Sequence, residues 1–310
     1  MRIVFFGSPS FAVPTLEALR AAGHDVALVV SQPGKPVGRK AEITDPPVAS
    51  IAKSLGMLVF QPPTLKDDAA FARLAETRAD AFVVAAYGKI LARRVLDLPR
   101  LGCLNVHGSL LPRWRGASPV QAAILAGDAE TGVSIMRMEA GMDTGPVYAM
   151  RRTEIGEEED SASLGARLAL LGAKALIETL NFLEGEEGRS PVPQDDSHAT
   201  YCPKIAREDA RVDWARPAAE LVRRARAFTP WPGLFTTRRN ARVKLAGLSL
   251  EAGQPGARPG NILEAGNRIV VACGEGAVAV ATRQSEGRKA LPAADFVRGE
   301  RVAPGETWGG

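Results

Sequence analysis

Apolar strand-like runs alternate with helical patterns along the first 150 residues. A buried run at residues 2–6 precedes a helical pattern at residues 11–22, which Gly23 is placed to end. Further strand-like and helical segments follow at residues 25–31, 46–55, 58–60, 81–86, 102–107, 133–138 and 146–150. This alternation predicts an α/β fold with a mostly parallel sheet covered by helices on its faces. Ligands of such sheets bind beyond the carboxyl ends of the strands.

The pattern changes in the second half of the chain. A long helical stretch at residues 161–183 is followed by residues 184–197, which are rich in Gly, Pro and acidic residues and indicate a linker. One more helical pattern, at residues 217–228, precedes short alternating runs separated by glycines. Those runs predict a small antiparallel barrel. We therefore predict two domains, at residues 1–188 and 204–310, joined by a linker at 189–203.

The composition restricts the class of protein. The chain has 310 residues, of which 45% are apolar and 24% charged, as in soluble folded proteins. The three cysteines and three histidines are scattered, so we expect neither a disulfide framework nor a metal site. No apolar run approaches the roughly 18–20 residues that span a bilayer. The first residues lack the pattern of a signal peptide, so the expected location is the cytoplasm.

Charge is unevenly distributed along the chain. Residues 204–310 hold 18 Lys and Arg against 11 Asp and Glu, a net charge of +7, whereas residues 1–203 carry −3. A basic second domain suggests a polyanionic partner, of which nucleic acid is the commonest. A surface on which arginine is simply a frequent solvated residue would produce the same count.

The turn after the first strand resembles a dinucleotide-binding loop only in part. Its sequence is Gly7-Ser8-Pro9-Ser10, so Pro9 stands where a second glycine would let the backbone approach a pyrophosphate. Proline also has no N–H to donate. We therefore predict an ordinary structural turn and no bound NAD.

Candidate chemistry is concentrated in residues 105–119. Asn105 and His107 end an apolar strand, and residues two apart in a strand point to the same side. The amide can donate N–H groups to a developing oxyanion, and the imidazole can transfer protons near neutral pH. Asp143, in a loop between Gly141 and Gly145, is a candidate to orient the imidazole.

No G-x-S-x-G nucleophile motif is present in the sequence. The set therefore favours direct acyl transfer between two bound substrates, without a covalent enzyme intermediate. From the residues alone, a structural interpretation also remains open. In it, Asn105 caps a turn, His107 packs in the core, and Asp143 forms a turn with its own backbone.

The same residues carry a resemblance to a known family. The motifs H-G-S-L-L-P-R-W-R-G-A-S-P at residues 107–119 and G-M-D-T-G at 141–145 resemble those of the folate-dependent formyltransferases. The segments Q-P-G-K-P-V-G-R-K at 32–40 and R-A-F-T-P-W-P at 226–232 are similar to the members whose acceptor is methionyl-tRNA. The resemblance implies a Rossmann-like catalytic domain, a linker and a C-terminal OB-like barrel that binds tRNA.

The resemblance also implies an activity and a set of site residues. The expected reaction transfers the formyl group of 10-formyltetrahydrofolate to the α-amine of methionyl initiator tRNA, for translation initiation. Neither a metal nor NAD is expected, and the protein is expected to be a monomer. The implied residues are Asn105, His107 and Asp143 for catalysis, Ser109, Leu110, Leu111 and Pro112 for folate, and Lys35, Arg39, Lys40, Arg223, Arg224 and Arg226 for tRNA.

The loop at residues 33–47 departs from the expected pattern, because acidic residues follow its basic part. Three other functions compete with the tRNA reaction. A sugar-nucleotide N-formyltransferase would share the catalytic residues, and a formyltetrahydrofolate hydrolase would use water as the acceptor. A non-catalytic RNA-binding protein could keep the fold alone. The basic motif at 32–40 and the +7 second half favour tRNA over a sugar nucleotide.

Overall fold

The computed structural model describes residues 1–38, 41–185, 190–285 and 289–309. The chain forms two compact units. Unit 1 consists of residues 1–119, 130–154 and 164–203, and unit 2 consists of residues 120–129, 155–163 and 204–310.

Unit 1 is built on a twisted central sheet. The strands of unit 1 are β1 (Arg2–Gly7), β2 (Asp25–Val30), β3 (Lys35–Val37), β4 (Glu42–Thr44), β5 (Val59–Phe60), β6 (Ala81–Ala85), β7 (Cys103–His107), β8 (Arg115–Gly116), β9 (Glu130–Arg137), β10 (Val147–Glu154) and β11 (Tyr201–Cys202). Seven of them form the order β10-β9-β7-β6-β1-β2-β5. The five from β7 to β5 are mutually parallel, whereas β9 is antiparallel to both β7 and β10. The prediction of an α/β fold with a mostly parallel sheet is confirmed.

Helices follow most of these strands, as the alternation predicts. The helices of the described residues, over both units, are α1 (Val13–Ala21), α2 (Pro47–Ser54), α3 (Asp68–Ala75), α4 (Arg93–Leu96), α5 (Pro119–Ala126), α6 (Ser161–Glu184), α7 (Ala218–Ala227) and α8 (Ala293–Glu300). The sequence pattern did not predict α3, α4 or α8. Each is short, and α3 depends on a local cap, in which the Asp67 carboxylate accepts the backbone N–H of Ala70 at 2.8 Å.

The core of unit 1 explains why its central strands are so apolar. Strands β1, β6 and β7 are fully buried apart from Arg2, because helices cover both faces of a parallel sheet. Phe6 packs against Phe82 and Tyr87, with ring centroids 5.3 and 5.5 Å apart. Burying each phenylalanine stabilises the fold by roughly 1.5–3 kcal/mol. This packing fixes the strand ends at which polar groups gather.

Unit 2 contains a curled antiparallel sheet, consistent with an OB-like domain. Its strands are β12 (Phe235–Arg238), β13 (Ala241–Glu251), β14 (Ile262–Ala265), β15 (Ile269–Ala272), β16 (Ala277–Ser285) and β17 (Leu291–Pro292), in the order β12-β13-β16-β15-β14 with β17 paired to β16. Trp214 and Trp308 lie in its core, 6.4 Å apart between ring centroids. The indole N–H of Trp214 donates to the Thr236 hydroxyl at 3.1 Å, so its polar atom is also satisfied.

Over the four described ranges, no helix has the length and apolar character needed to cross a membrane. The same residues contain no group of three or more His, Cys, Asp or Glu side chains arranged to hold a metal ion. The three cysteines, Cys103, Cys202 and Cys273, are buried free thiols.

Candidate active site

The site begins at the carboxyl end of β7, next to the point where the order of the parallel strands reverses at β1 and β6. Asn105 and His107 occupy alternate positions on this strand and are 9% and 5% exposed. Among the described residues, no group forms a hydrogen bond with the Asn105 side-chain amide. Its N–H donors therefore remain available for a substrate oxygen.

His107 is held by a partner that the sequence analysis did not identify. Its Nε2 lies 3.0 Å from the backbone carbonyl of Trp114. Because a carbonyl oxygen can only accept, Nε2 carries a hydrogen and donates it. Nδ1 faces the carboxylate of Asp143, with 3.7 Å between Nδ1 and Oδ2, within ion-pair distance but longer than a hydrogen bond. Nδ1 is thus the ring nitrogen without a hydrogen-bond partner among the described residues.

The Asp143 carboxylate is held by a backbone N–H group, and the Asp143 backbone is left-handed. Oδ2 accepts the backbone N–H of Gly116 at 2.8 Å, and the residue adopts a φ of +53°. Gly116 itself has a φ of +120°, and a Cβ built on it would lie 2.2 Å from the carbonyl oxygen of Cys202. Only glycine fits this position without strain. The glycine of the R-G-A-S-P motif therefore allows the backbone to reach the carboxylate.

The four residues assigned to folate occupy different environments. Ser109 is buried, and its hydroxyl donates to the carbonyl of Arg113 at 2.6 Å. Leu111 packs against Met136 and Val147, whereas Leu110 and Pro112 are only half-buried. Ser109 and Leu111 therefore shape the loop from inside, and Leu110 and Pro112 are the two with exposed side-chain surface.

Residues 190–203, which lie in the predicted linker, are joined to this loop. The Thr200 hydroxyl accepts the backbone N–H of Trp114 at 2.8 Å, and the Thr200 carbonyl accepts that of Arg115 at 2.8 Å. Strand β11 pairs in parallel with β8, through Tyr201 and Cys202. Burial raises the pKa of the Cys202 thiol, and the nearby Asp143 charge raises it further. The segment thus supports the site in addition to connecting two parts of the chain.

Sequence reasoning also missed Arg115 and Gln194. The Arg115 side chain is 1% exposed, and its guanidinium donates to the Gln194 amide oxygen from Nε at 3.1 Å and from Nη2 at 2.9 Å. Burial alone would lower the pKa of Arg115, but its bonds to Asp196 and Tyr201 outweigh this and leave the pKa raised. Arg115 lies within the recognised motif, whereas the polar linker composition gave no signal for Gln194.

The basic residues assigned to tRNA differ in exposure. Lys35 is exposed on β3, and Arg39 and Lys40 lie outside the described residues. On α7, Arg223 lies beside Gly127, and Arg224 stacks on the Phe228 ring at 5.2 Å and donates to the Asp209 carbonyl.

Arg226 donates to the backbone carbonyls of Gly156 and Glu159, at 3.1 and 3.4 Å. Burial lowers the pKa of both Arg224 and Arg226. The three arginines of α7 are therefore half-buried against their own unit, and their contact with RNA stays a prediction.

Known proteins share both the sequence and the fold. Residues 1–180 match the formyl transferase family, and residues 204–301 match the formyl transferase C-terminal domain. A methionyl-tRNA formyltransferase of Pseudomonas paraeruginosa is 47% identical over 312 residues, covering 100% of both chains. Another, of Xanthomonas euvesicatoria pv. vesicatoria, is 49% identical and covers 98% of this chain and 99% of that protein.

Solved structures support the fold at much lower identity. HypX from Aquifex aeolicus in complex with tetrahydrofolic acid matches with a TM-score of 0.66 and 20% identity, covering 96% of this chain and 47% of HypX. This chain thus spans about half the length of HypX. The sugar 3N-formyl transferase WlaRD matches with a TM-score of 0.68 and 16% identity, covering 93% of this chain and 99% of that one. From its sequence relatives and both matched domains, the chain belongs to the formyl transferase family and, within it, to the methionyl-tRNA formyltransferases.

Proposed function

We propose that this protein transfers the formyl group of 10-formyltetrahydrofolate to the α-amino group of methionyl initiator tRNA, in the cytoplasm and as a monomer. The product supplies translation initiation. The observation that carries the proposal is the pairing of His107 Nδ1 with Asp143 Oδ2 at 3.7 Å, beside the unpartnered amide of Asn105. Relatives that are 47% identical over the full chain carry the name of this activity.

The proposed chemistry is direct transfer between the two substrates. The unprotonated α-amine attacks the formyl carbon, and the carbonyl electron pair moves onto the formyl oxygen. The Asn105 amide donates to that oxyanion. His107 takes the amine proton at Nδ1 while Nε2–H stays on the Trp114 carbonyl, and the resulting imidazolium faces Asp143. The proton then passes to the folate nitrogen as its bond to the formyl carbon breaks.

In this scheme the folate is a substrate bound by the loop that follows β7. We propose that Ser109, Leu110, Leu111 and Pro112 hold it at the carboxyl end of β7. The Ser134 hydroxyl donates to the Ser109 carbonyl at 2.8 Å and accepts the Leu111 N–H at 3.1 Å, so the loop is held in place before a ligand binds. Preorganisation of this kind lowers the ordering cost of binding.

For the tRNA we propose contacts from Lys35, Arg39, Lys40, Arg223, Arg224 and Arg226. The division into a catalytic domain at residues 1–188, a linker at 189–203 and an RNA-binding domain at 204–310 belongs to the same proposal. Cations on a basic domain neutralise phosphates and make affinity fall with salt. Lys35 is exposed and ready for such a contact, whereas Arg224 and Arg226 would first exchange their carbonyl partners.

The direct test measures formyl transfer from 10-formyltetrahydrofolate to methionyl initiator tRNA and to methionyl elongator tRNA. Efficient formylation of the initiator, and much slower formylation of the elongator, is the expected result. Parallel reactions contain a dTDP-amino sugar or no acceptor. Faster transfer to the sugar would establish a sugar-nucleotide enzyme instead, and folate turnover without an amine would establish a hydrolase.

A further inference from the structure

We propose that Arg115 and Gln194 are positioning residues, which hold the Asp143 loop in the geometry that the reaction requires. This inference rests on the proposed function, because it concerns the same carboxylate. Gln194 Nε2 donates to the backbone carbonyls of Asp143, at 2.8 Å, and of Gly145, at 2.7 Å. One amide thus spans the turn that carries the carboxylate.

The orientation of the Gln194 amide follows from the chemistry of its partners. Two backbone carbonyls can only accept, so the NH2 group must face them. A guanidinium can only donate, so the amide oxygen must face Arg115, which bonds to it through both Nε and Nη2. Both N–H groups and the oxygen of the Gln194 amide are therefore hydrogen-bonded. Rotating the amide by 180° would turn its oxygen toward the two carbonyls and its NH2 group toward the guanidinium.

Arg115 anchors this amide from a buried position. Its Nη2 also donates to the Asp196 carboxylate at 2.7 Å, and the guanidinium is almost inaccessible to solvent. A cation bonded to an amide oxygen polarises the amide and strengthens its N–H donors. Arg115 also directly precedes Gly116, whose N–H holds the Asp143 carboxylate. Strand β8 thus holds the Asp143 side chain directly, through Gly116, and the Asp143 backbone indirectly, through Arg115 and Gln194.

The Asp143 backbone needs such support. Its φ of +53° lies in the left-handed region, which a residue with a Cβ adopts only when its surroundings favour it. Without the two Gln194 bonds, the loop can relax and carry the carboxylate away from His107 Nδ1. Displacements of about 1 Å at a reacting group can lower rates roughly 100-fold.

Gln194→Glu tests this role with almost no change in size. The variant keeps an acceptor for Arg115 but turns a carboxylate oxygen toward two carbonyls. We expect kcat for formyl transfer to fall roughly 10- to 100-fold, with the KM for folate within about threefold of wild type. Amide hydrogen exchange at Gly116 should become faster, because its acceptor has moved. The control is Asp195→Asn, an exposed neighbour without a bond to Arg115, which should stay within about twofold of wild type.

A mutant cycle separates positioning from a general loss of structure. In an Asp143→Ala background, Gln194→Glu should cause no further loss of kcat, since its effect passes through Asp143. If Gln194→Glu fails to fold, Arg115→Lys replaces it, because lysine keeps the positive charge but lacks the planar guanidinium that donates two hydrogen bonds to the Gln194 oxygen. Arg115→Lys should lower kcat about fivefold or more, and it should cause no further loss of kcat in the Asp143→Ala background.

Wild-type kcat in a folded variant, or an equal loss in the Asp143→Ala background, overturns the positioning role. Wild-type protein assayed alongside separates the two proposals. If it formylates methionyl-tRNA while the variants match it, only the positioning role fails. If the wild type transfers no formyl group, the proposed function fails and the positioning role with it.

Discussion

Arginines in the two units are held in different ways. Arg115, in unit 1, is enclosed by the side chains of Gln194, Asp196 and Tyr201, and its pKa is raised despite burial. Arg224 and Arg226, in unit 2, donate to backbone carbonyls, and burial lowers their pKa values. The Arg115 guanidinium therefore has a carboxylate among its partners, whereas Arg224 and Arg226 donate to uncharged backbone carbonyls.

The difference shows that a net charge does not say which cations are available. Arg115 adds one positive charge to a domain that is acidic overall, yet it is committed to the architecture of the site. The arginines of α7 contribute to the +7 of the second half, but a half-buried guanidinium must give up its own contacts before it binds a phosphate. Whether an arginine is available to bind a phosphate depends on its hydrogen-bond partners, which only the fold reveals.

Asn105 gives the largest expected effect, because its side-chain amide has no hydrogen-bond partner among the described residues and is the proposed donor to the oxyanion. Asn105→Ala removes the proposed donor to the oxyanion without breaking a hydrogen bond of the folded protein. We expect the barrier to transfer to rise by about 2–4 kcal/mol, with little change in folate affinity. Single-turnover formyl transfer and a folate binding titration measure the two quantities.

The matched control for that variant is Asn181→Ala, on the exposed face of α6. It should leave both the rate and the folate affinity unchanged. Near-normal turnover by Asn105→Ala would remove the amide from the mechanism. It would also leave the structural interpretation of β7, with His107 as a packed core residue, as the better account.

Gly116 tests how rigid the backbone around Asp143 is. In Gly116→Ala, the new Cβ meets the Cys202 carbonyl at 2.2 Å while φ is +120°, so the β8–β11 pair must separate. We expect a loss of unfolding free energy of about 3 kcal/mol, with a fall in kcat. Chemical denaturation and the transfer assay measure these effects.

Gly165→Ala is the control, because nothing lies within 4 Å of its added Cβ and the residue is inside a helix. That change should stabilise the protein by up to about 1 kcal/mol. Equal stability of Gly116→Ala and wild type would mean that β8 and β11 separate at little cost. The surroundings of Arg115 would then be no more rigid than those of the arginines of α7.

Much of this architecture follows from the sequence, because local patterns determine it. Apolar runs set the strands, and the alternation in β7 places Asn105 and His107 on one face. Bonds between distant residues are different, since no periodicity predicts that Gln194 reaches the Asp143 carbonyl or that Trp114 holds His107. The composition of residues 184–197 says nothing of the acceptors and donors that Gln194 and Asp196 bring to the site.

The smallest expected effect concerns the cations themselves. Each phosphate contact contributes about 0.7–0.9 to the slope of log affinity against log salt. Lys35→Gln should therefore reduce the slope for methionyl initiator tRNA by nearly that amount, because its ammonium group is exposed. Arg226→Gln should reduce it by less than half as much, since its guanidinium bonds to Gly156 and Glu159. Binding titrations across a salt series measure both slopes. Equal reductions by Lys35→Gln and Arg226→Gln would mean that Arg226 leaves its carbonyl partners to bind RNA. Its burial against unit 2 would then hold only in the absence of RNA.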